Sequence, residues 1–135
     1  MRRSLRFALV AASLVASTAF ASPTNPQNGV EYTTLATPQP VQAVGKKVEV
    51  VEFFAYHCPA CYALEPGLKE WVKKQGDKIV LRRVHLPFQG ALDPEAHLHL
   101  TLQAMGKEEE MHAKIFQAVH VQRVRLMKDE QIIDW

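Results

Sequence analysis

Val48-Glu49-Val50-Val51-Glu52-Phe53-Phe54-Ala55-Tyr56-His57-Cys58-Pro59-Ala60-Cys61-Tyr62 is the stretch that decides how this chain is read. It holds both cysteines of a 135-residue sequence, separated by two residues. Val48 to Phe54 is a nearly continuous apolar run and predicts a central strand buried on both faces. Pro59 suits the first turn of a helix, where its missing N–H would have no partner anyway. Cys58 then stands at the tip of that helix and Cys61 one turn further in. Both sulfurs can share one side of the helix and bond to each other.

Working outward, Tyr62, Leu64, Leu68, Trp71 and Val72 continue a helical apolar pattern to Gln75, with Gly76 as a C-terminal cap. Pro66 falls inside this helix and is expected to kink it. Ile79 to Leu86 is a second strand candidate, closed by Pro87. Strand, helix, strand in this order is a βαβ unit with parallel strands. Beyond it the period changes. Asp93-Pro94 predicts a helix start running to about Gly106, and Lys107 to Val121 predicts a second helix. Asp129 is expected to cap a third start, running through Ile132 and Ile133 to Trp135.

Upstream, Met1 to Ala21 has the form of a secretory signal. Arg2, Arg3 and Arg6 precede the mostly apolar Phe7 to Phe20, and Ala19-Phe20-Ala21 is a small-x-small cleavage site. The apolar run is shorter than the roughly 20 residues of a membrane-spanning helix. Export with cleavage after about Ala21 places the mature chain in an oxidising compartment. Ser22 to Gly45, with Pro23, Pro26, Pro38 and Pro40, cannot be one regular element, although Val30 to Leu35 is compatible with a short strand. Four stretches result: a signal peptide over 1–21, an N-terminal extension over 22–45, the part carrying the cysteines over 46–90, and a helical segment over 91–135.

Composition narrows the function classes. Hydrophobic residues make up 47% and charged ones 22%, as in a globular protein with a core. Without the three signal arginines, 13 basic residues face 14 acidic ones, so the formal charge of +2 becomes about −1. That balance provides no electrostatic reason to expect nucleic-acid binding.

The cysteine chemistry follows from position. Only a thiolate attacks a disulfide, and a free thiol is mostly protonated at neutral pH. The unpaired N–H groups and positive dipole end of a helix start stabilise the anion of Cys58. Cys58 is therefore the expected nucleophile, and Cys61 the partner that resolves or re-forms the bond. His57 and the peptide groups around Pro59 and Ala60 are expected to tune the thiolate. A structural zinc site needs four ligands, and the pair with His57 provides three. An inert disulfide across so short a loop constrains little of the unfolded chain. His97, His99, His112 and His120 read as surface or half-buried helix residues, and Met105, Met111 and Met127 as core filling.

Glu52-Phe53-Phe54 through Cys58-Pro59-Ala60-Cys61-Tyr62, followed by Leu64-Glu65-Pro66, resembles the DsbA-type disulfide oxidoreductases of the bacterial periplasm. Tyr32-Thr33-Thr34-Leu35 and the helical segments after Phe88 carry the same resemblance. It implies an α/β fold, a thioredoxin-like βαβ unit with an inserted helical domain. It also implies a thiol:disulfide interchange protein that introduces disulfides into unfolded exported polypeptides bearing free thiols. No cofactor is expected beyond a redox-active Cys58–Cys61 disulfide, and a membrane-bound, quinone-linked protein of the DsbB type is the implied reoxidant. Glu52 matches the family's buried acid beneath the cysteines, thought to assist proton transfer at the inner one. A carboxyl in an apolar strand should have a raised pKa, whereas an edge position would leave it in solvent.

Two departures accompany the resemblance. The family commonly carries Cys-Pro-His-Cys, and Ala60 stands in the histidine's place. A weaker oxidant is therefore expected. The family's fold also returns from its helical insertion to further strands, a cis-proline loop and a final helix. No residues follow Trp135 to supply them, so a fragment of a longer product is expected, with an exposed strand edge and apolar faces. The alternatives within and outside the class are a disulfide reductase or isomerase, and a periplasmic metal-binding module using Cys58, Cys61 and His57.

Overall fold

A computed structural model describes residues 24–43 and 45–135 of the chain. The export signal and its cleavage site at Ala21 lie outside the described residues. The chain divides into two compact units, one ending at Gln39 and one spanning Pro40–Trp135.

In the first unit no strand forms over Val30 to Leu35. The backbone turns instead at Gly29, with φ at 86°, and leaves an isolated bridge between Asn28 and Tyr32. The Asn28 side chain accepts from Thr34 N–H at 3.1 Å, a local bond that competes with extension.

The second unit begins with strand β1, Val48–Phe54, and pairs it in parallel with β2, Ile79–His85. Helix α1, Pro59–Gln75, is the crossover between them. Gly76 ends α1 with φ at 54°, a conformation that favours glycine, and a short 3₁₀ turn leads into β2. The pairing runs from Val48 opposite Ile79 to Phe54 opposite His85, and sets Glu52 opposite Arg83.

Helices α2, Pro94–Ala104, α3, Glu108–His120, and α4, Asp129–Asp134, follow with no described strand between them. Asp93 caps α2 by accepting from Ala96 N–H at 3.0 Å. Asp129 does not cap α4. It is the first helical residue, preceded by Lys128 with no side-chain cap, and the Gln131 side chain accepts from Met127 N–H instead.

The core gathers Phe54, Tyr56, Leu102, Ile115, Phe116 and Leu126, from the end of β1 and from the helical segment. The C-terminal end of β1, from Glu52 to Phe54, is consequently buried on one face only. Phe54 is 1% exposed and its neighbour Phe53 62% exposed. Successive strand residues point to opposite sides, and the described helices pack against the Phe54 side. Helix α1 has no fully buried residue, and Leu64 and Trp71 of its expected apolar face remain exposed.

Two histidines also depart from expectation. His99 and His112 are buried, because their rings pack edge-on against Phe54 at 5.1 and 5.0 Å. His97, two residues from His99, is exposed, as the helical period requires.

Candidate functional site at the tip of helix α1

Cys58 is the N-cap residue of α1, extended at φ −80° and ψ 114°. Its sulfur accepts from the Cys61 backbone N–H at 3.3 Å, and its carbonyl from Tyr62 N–H at 3.1 Å. Pro59 and Ala60 are exposed at the first turn, and both cysteines are half-buried free thiols. The two sulfurs are not equivalent. Hydrogen bonds from the Cys61 side chain and backbone hold the Cys58 thiol below its ordinary value. Burial pushes Cys61 up, reinforced by its bond to Cys58 and by the negative charges of Cys58 and Glu52. A helix start with one sulfur at the cap and the other a turn inside produces this split.

The approach to Cys58, Ala55-Tyr56-His57, is held by three different elements. Tyr56 N–H donates to the ring Nε2 of His85, the last residue of β2, at 3.2 Å. The Tyr56 carbonyl accepts from His120 Nε2 of α3 at 2.8 Å, and that ring stacks on Tyr62 at 4.7 Å. His57 meets Glu95 of α2 through its backbone N–H at 3.2 Å and its ring Nδ1 at 2.7 Å. A turn that would otherwise be a free loop is tied on every side.

Behind it lies an ionic cluster centred on Arg83. The guanidinium bonds Glu52 at 3.1 Å and Glu109 at 2.8 Å and lies 3.8 Å from Glu65. Glu52 is buried, not at a solvent-facing edge. Burial and the neighbouring Glu65 raise its carboxyl above the usual range, against the opposing pull of Arg83 and His112. Glu65 differs: burial, the largest single influence, would raise it, but the His112 hydrogen bond and the charges of His112, Arg83 and Lys69 together outweigh it, and its carboxyl is lowered. The pair thus offers one carboxyl disposed to hold a proton and one disposed to lose it.

Sequence reading named Cys58, Cys61, Glu52, His57, Pro59 and Ala60, and these all fall at or beside the α1 tip or at the β1 position beneath it. It missed Arg83, Glu95 and His85. One signal was available: an acid and a base, Glu52 and Arg83, interrupt the two apolar strands of one βαβ unit. Nothing local marks Glu95 or His85.

For metal binding, ligand atoms of Glu52, Glu65 and His112 lie within 4.8 Å of one another. The Arg83 guanidinium already brings a positive charge to both carboxylates, which disfavours a second cation. Among the described residues, Cys58, Cys61 and His57 do not form such a group.

Comparison with known proteins agrees with this geometry. No family model matches the chain. The thiol:disulfide interchange protein DsbA of Burkholderia cepacia is 38% identical over all 135 residues and 64% of its own length. That of Bordetella parapertussis is 39% identical over 94% of the chain and 60% of its own length. Among solved structures, a single-residue variant of DsbA of Pseudomonas aeruginosa superposes with a TM-score of 0.73 at 35% identity, over 82% of this chain and 59% of that one. Reduced DsbA1 of Neisseria meningitidis gives 0.70 at 35% identity, over 84% and 60%. The chain therefore spans about three fifths of the relatives it matches. Along its whole sequence this chain is similar to the DsbA-type proteins, and it shares the thioredoxin-type fold of these structures.

Proposed function

We propose that the chain is a protein thiol–disulfide oxidoreductase that introduces disulfides into exported polypeptides. The observation that carries this reading is the asymmetry of the pair: a lowered Cys58 at the helix cap and a raised Cys61 one turn inside. In the oxidised form, a substrate thiolate attacks Cys58 Sγ, the Cys58–Cys61 bond breaks, and the Cys61 sulfur leaves with the electron pair. Its raised value favours uptake of a proton, which Glu52 is disposed to carry. A second substrate thiolate then attacks its partner sulfur in the mixed disulfide and expels Cys58 as a stabilised thiolate. The substrate loses two electrons and two protons; the cysteine pair gains both electrons and the proton on Cys61, and the other proton goes to solvent.

The substrates would be unfolded exported polypeptides with free thiols. The setting would be the periplasm, reached by a signal cleaved after about Ala21, and a membrane quinone-linked protein of the DsbB type would restore the disulfide. No described helix is long and apolar enough to cross a membrane. His57, Pro59 and Ala60 would tune the pair.

The test mixes the oxidised protein with a reduced, unfolded polypeptide and counts thiols lost. Oxidation at one disulfide per protein, abolished by Cys58→Ser, is expected. Cys61→Ser should trap a mixed disulfide at Cys58. Reduction or reshuffling of a scrambled polypeptide, without net oxidation of a reduced one, would favour the reductase or isomerase alternative. Stoichiometric metal on the reduced protein would favour the metal-binding one.

A further inference from the structure

Glu95 is almost fully buried at 1% exposure, yet it belongs to no part of the exchange chemistry described above. One of its oxygens, Oε2, meets both the backbone N–H of His57 and the ring Nδ1 of the same residue. The other oxygen, Oε1, has no hydrogen-bond partner. Buried carboxylates are rarely left half-satisfied, and here the satisfied half is spent on the residue that precedes Cys58.

The placement has clear local causes. Asp93 caps α2 and Pro94 opens it, so Glu95 sits in the first turn, where the helix dipole favours a carboxylate. The same oxygen lies 3.4 Å from His85 Nε2, the atom that receives Tyr56 N–H. The His57 ring rests edge-on against Phe88 at 5.2 Å and is partly exposed. His57 and Glu95 line one groove with Arg123, Arg125 and Lys128. The charged groups that share the groove of the ring are Glu95 from α2 and these three cations, while His85 from β2 meets the same Glu95 oxygen and Cys58 follows His57 in the chain. Glu95 is the anion hydrogen-bonded to it.

We propose that Glu95 is a positioning residue of the redox site: by holding His57 beside Cys58 it stabilises the reduced pair and makes the protein more oxidising. A carboxylate bonded to an imidazole stabilises the imidazolium, and positive charge beside a cysteine stabilises its thiolate. The double grip on backbone and ring fixes where the imidazole stands. This rests on the exchange reading of Cys58 and Cys61.

The test is a double-mutant cycle on the equilibrium of the protein with reduced and oxidised glutathione. Glu95→Gln preserves shape and hydrogen bonding and removes the charge. It should shift the equilibrium toward the disulfide about tenfold, equivalent to a potential about 30 mV lower. His57→Phe should shift it the same way by at least as much. Glu95→Gln added to His57→Phe should change it less than twofold, because the effect travels through His57. Should Glu95→Gln fail to fold by circular dichroism, Glu95→Asp, which withdraws the oxygens from His57, takes its place with the same expected direction. A shift under twofold in the single variants overturns the proposal. So does an undiminished Glu95 effect without His57, or a shift toward the dithiol. A wild-type protein that does not exchange with glutathione at all would instead overturn the oxidoreductase reading.

Discussion

At the residue scale, Glu52 is the proposed carrier of the proton, and Arg83, which bonds it at 3.1 Å, the proposed compensating charge. Glu52→Gln leaves the cluster's shape intact and removes the proposed proton carrier. Exchange in stopped flow is expected to slow by about 100-fold, at the low end of what a positioned acid–base group contributes. Arg83→Met leaves the carboxylates of Glu52 and Glu65 without their shared cation. Breaking a buried pair in this way costs about 3 kcal/mol or more, measurable by urea denaturation. The reduced protein should show thiolate absorbance at 240 nm in two steps, the first below the ordinary thiol value of about 8.5 and the second above it.

The sign of the corresponding stability effect follows. Cys58 is depressed in the folded state, so its contribution is present above the unfolded value and lost as pH falls through the folded one. The stability of the reduced protein relative to the oxidised should therefore fall on acidification through that window. A flat difference in melting temperature across it would contradict the assignment. The positions of Cys58, Cys61 and Glu52 were legible in the sequence because they depend on local signals: a helix tip, one turn further in, an acid in an apolar strand. Glu95 and His85 were not. Each acts across a long sequence separation, and no periodicity marks which acid or histidine meets the loop.

At the element scale, α1 and β1 show what local pattern does and does not decide. Their bounds agree with the sequence, since Pro59, Gly76 and the Val/Phe run are start, stop and strand signals in their own right. Which face is buried is decided elsewhere. Phe53 and Phe54 are chemically identical neighbours, so truncation separates pattern from packing. Phe54→Ala should cost about 3–5 kcal/mol, because its ring lies among Tyr56, His85, His99, His112 and Phe116. Phe53→Ala should cost less than about 1 kcal/mol. Equal losses in chemical denaturation would refute the one-sided strand. Removing the α2 cap with Asp93→Ala should cost about 1 kcal/mol, and would also loosen the turn that presents Glu95.

At the scale of the whole molecule, the second unit binds the turn before Cys58 to β2, α2 and α3, while Phe53 of β1 and much of α1 remain exposed. Val48, Phe53, Leu64, Trp71 and Val80 are all exposed large apolar residues. A surface of this kind recruits apolar dyes and other chains. Phe53→Ser with Leu64→Lys should lower dye binding and self-association in light scattering, with little change in the redox equilibrium. A shifted equilibrium in that variant would mean that the open face and the cysteine turn are coupled.

What the sequence by itself determined is the motif and its immediate frame: cysteines at a strand–helix junction, a parallel βαβ unit, helices afterwards, and an acid beneath the pair. Those features depend on short-range rules of capping, alternation and turn chemistry. Only the tertiary structure decided that the residue before Cys58 is gripped by Glu95, that Arg83 joins three carboxylates, and that His99 and His112 are core residues. Each of these is a contact between segments far apart in the chain, where burial turns an ordinary charge or ring into a partner with one fixed neighbour.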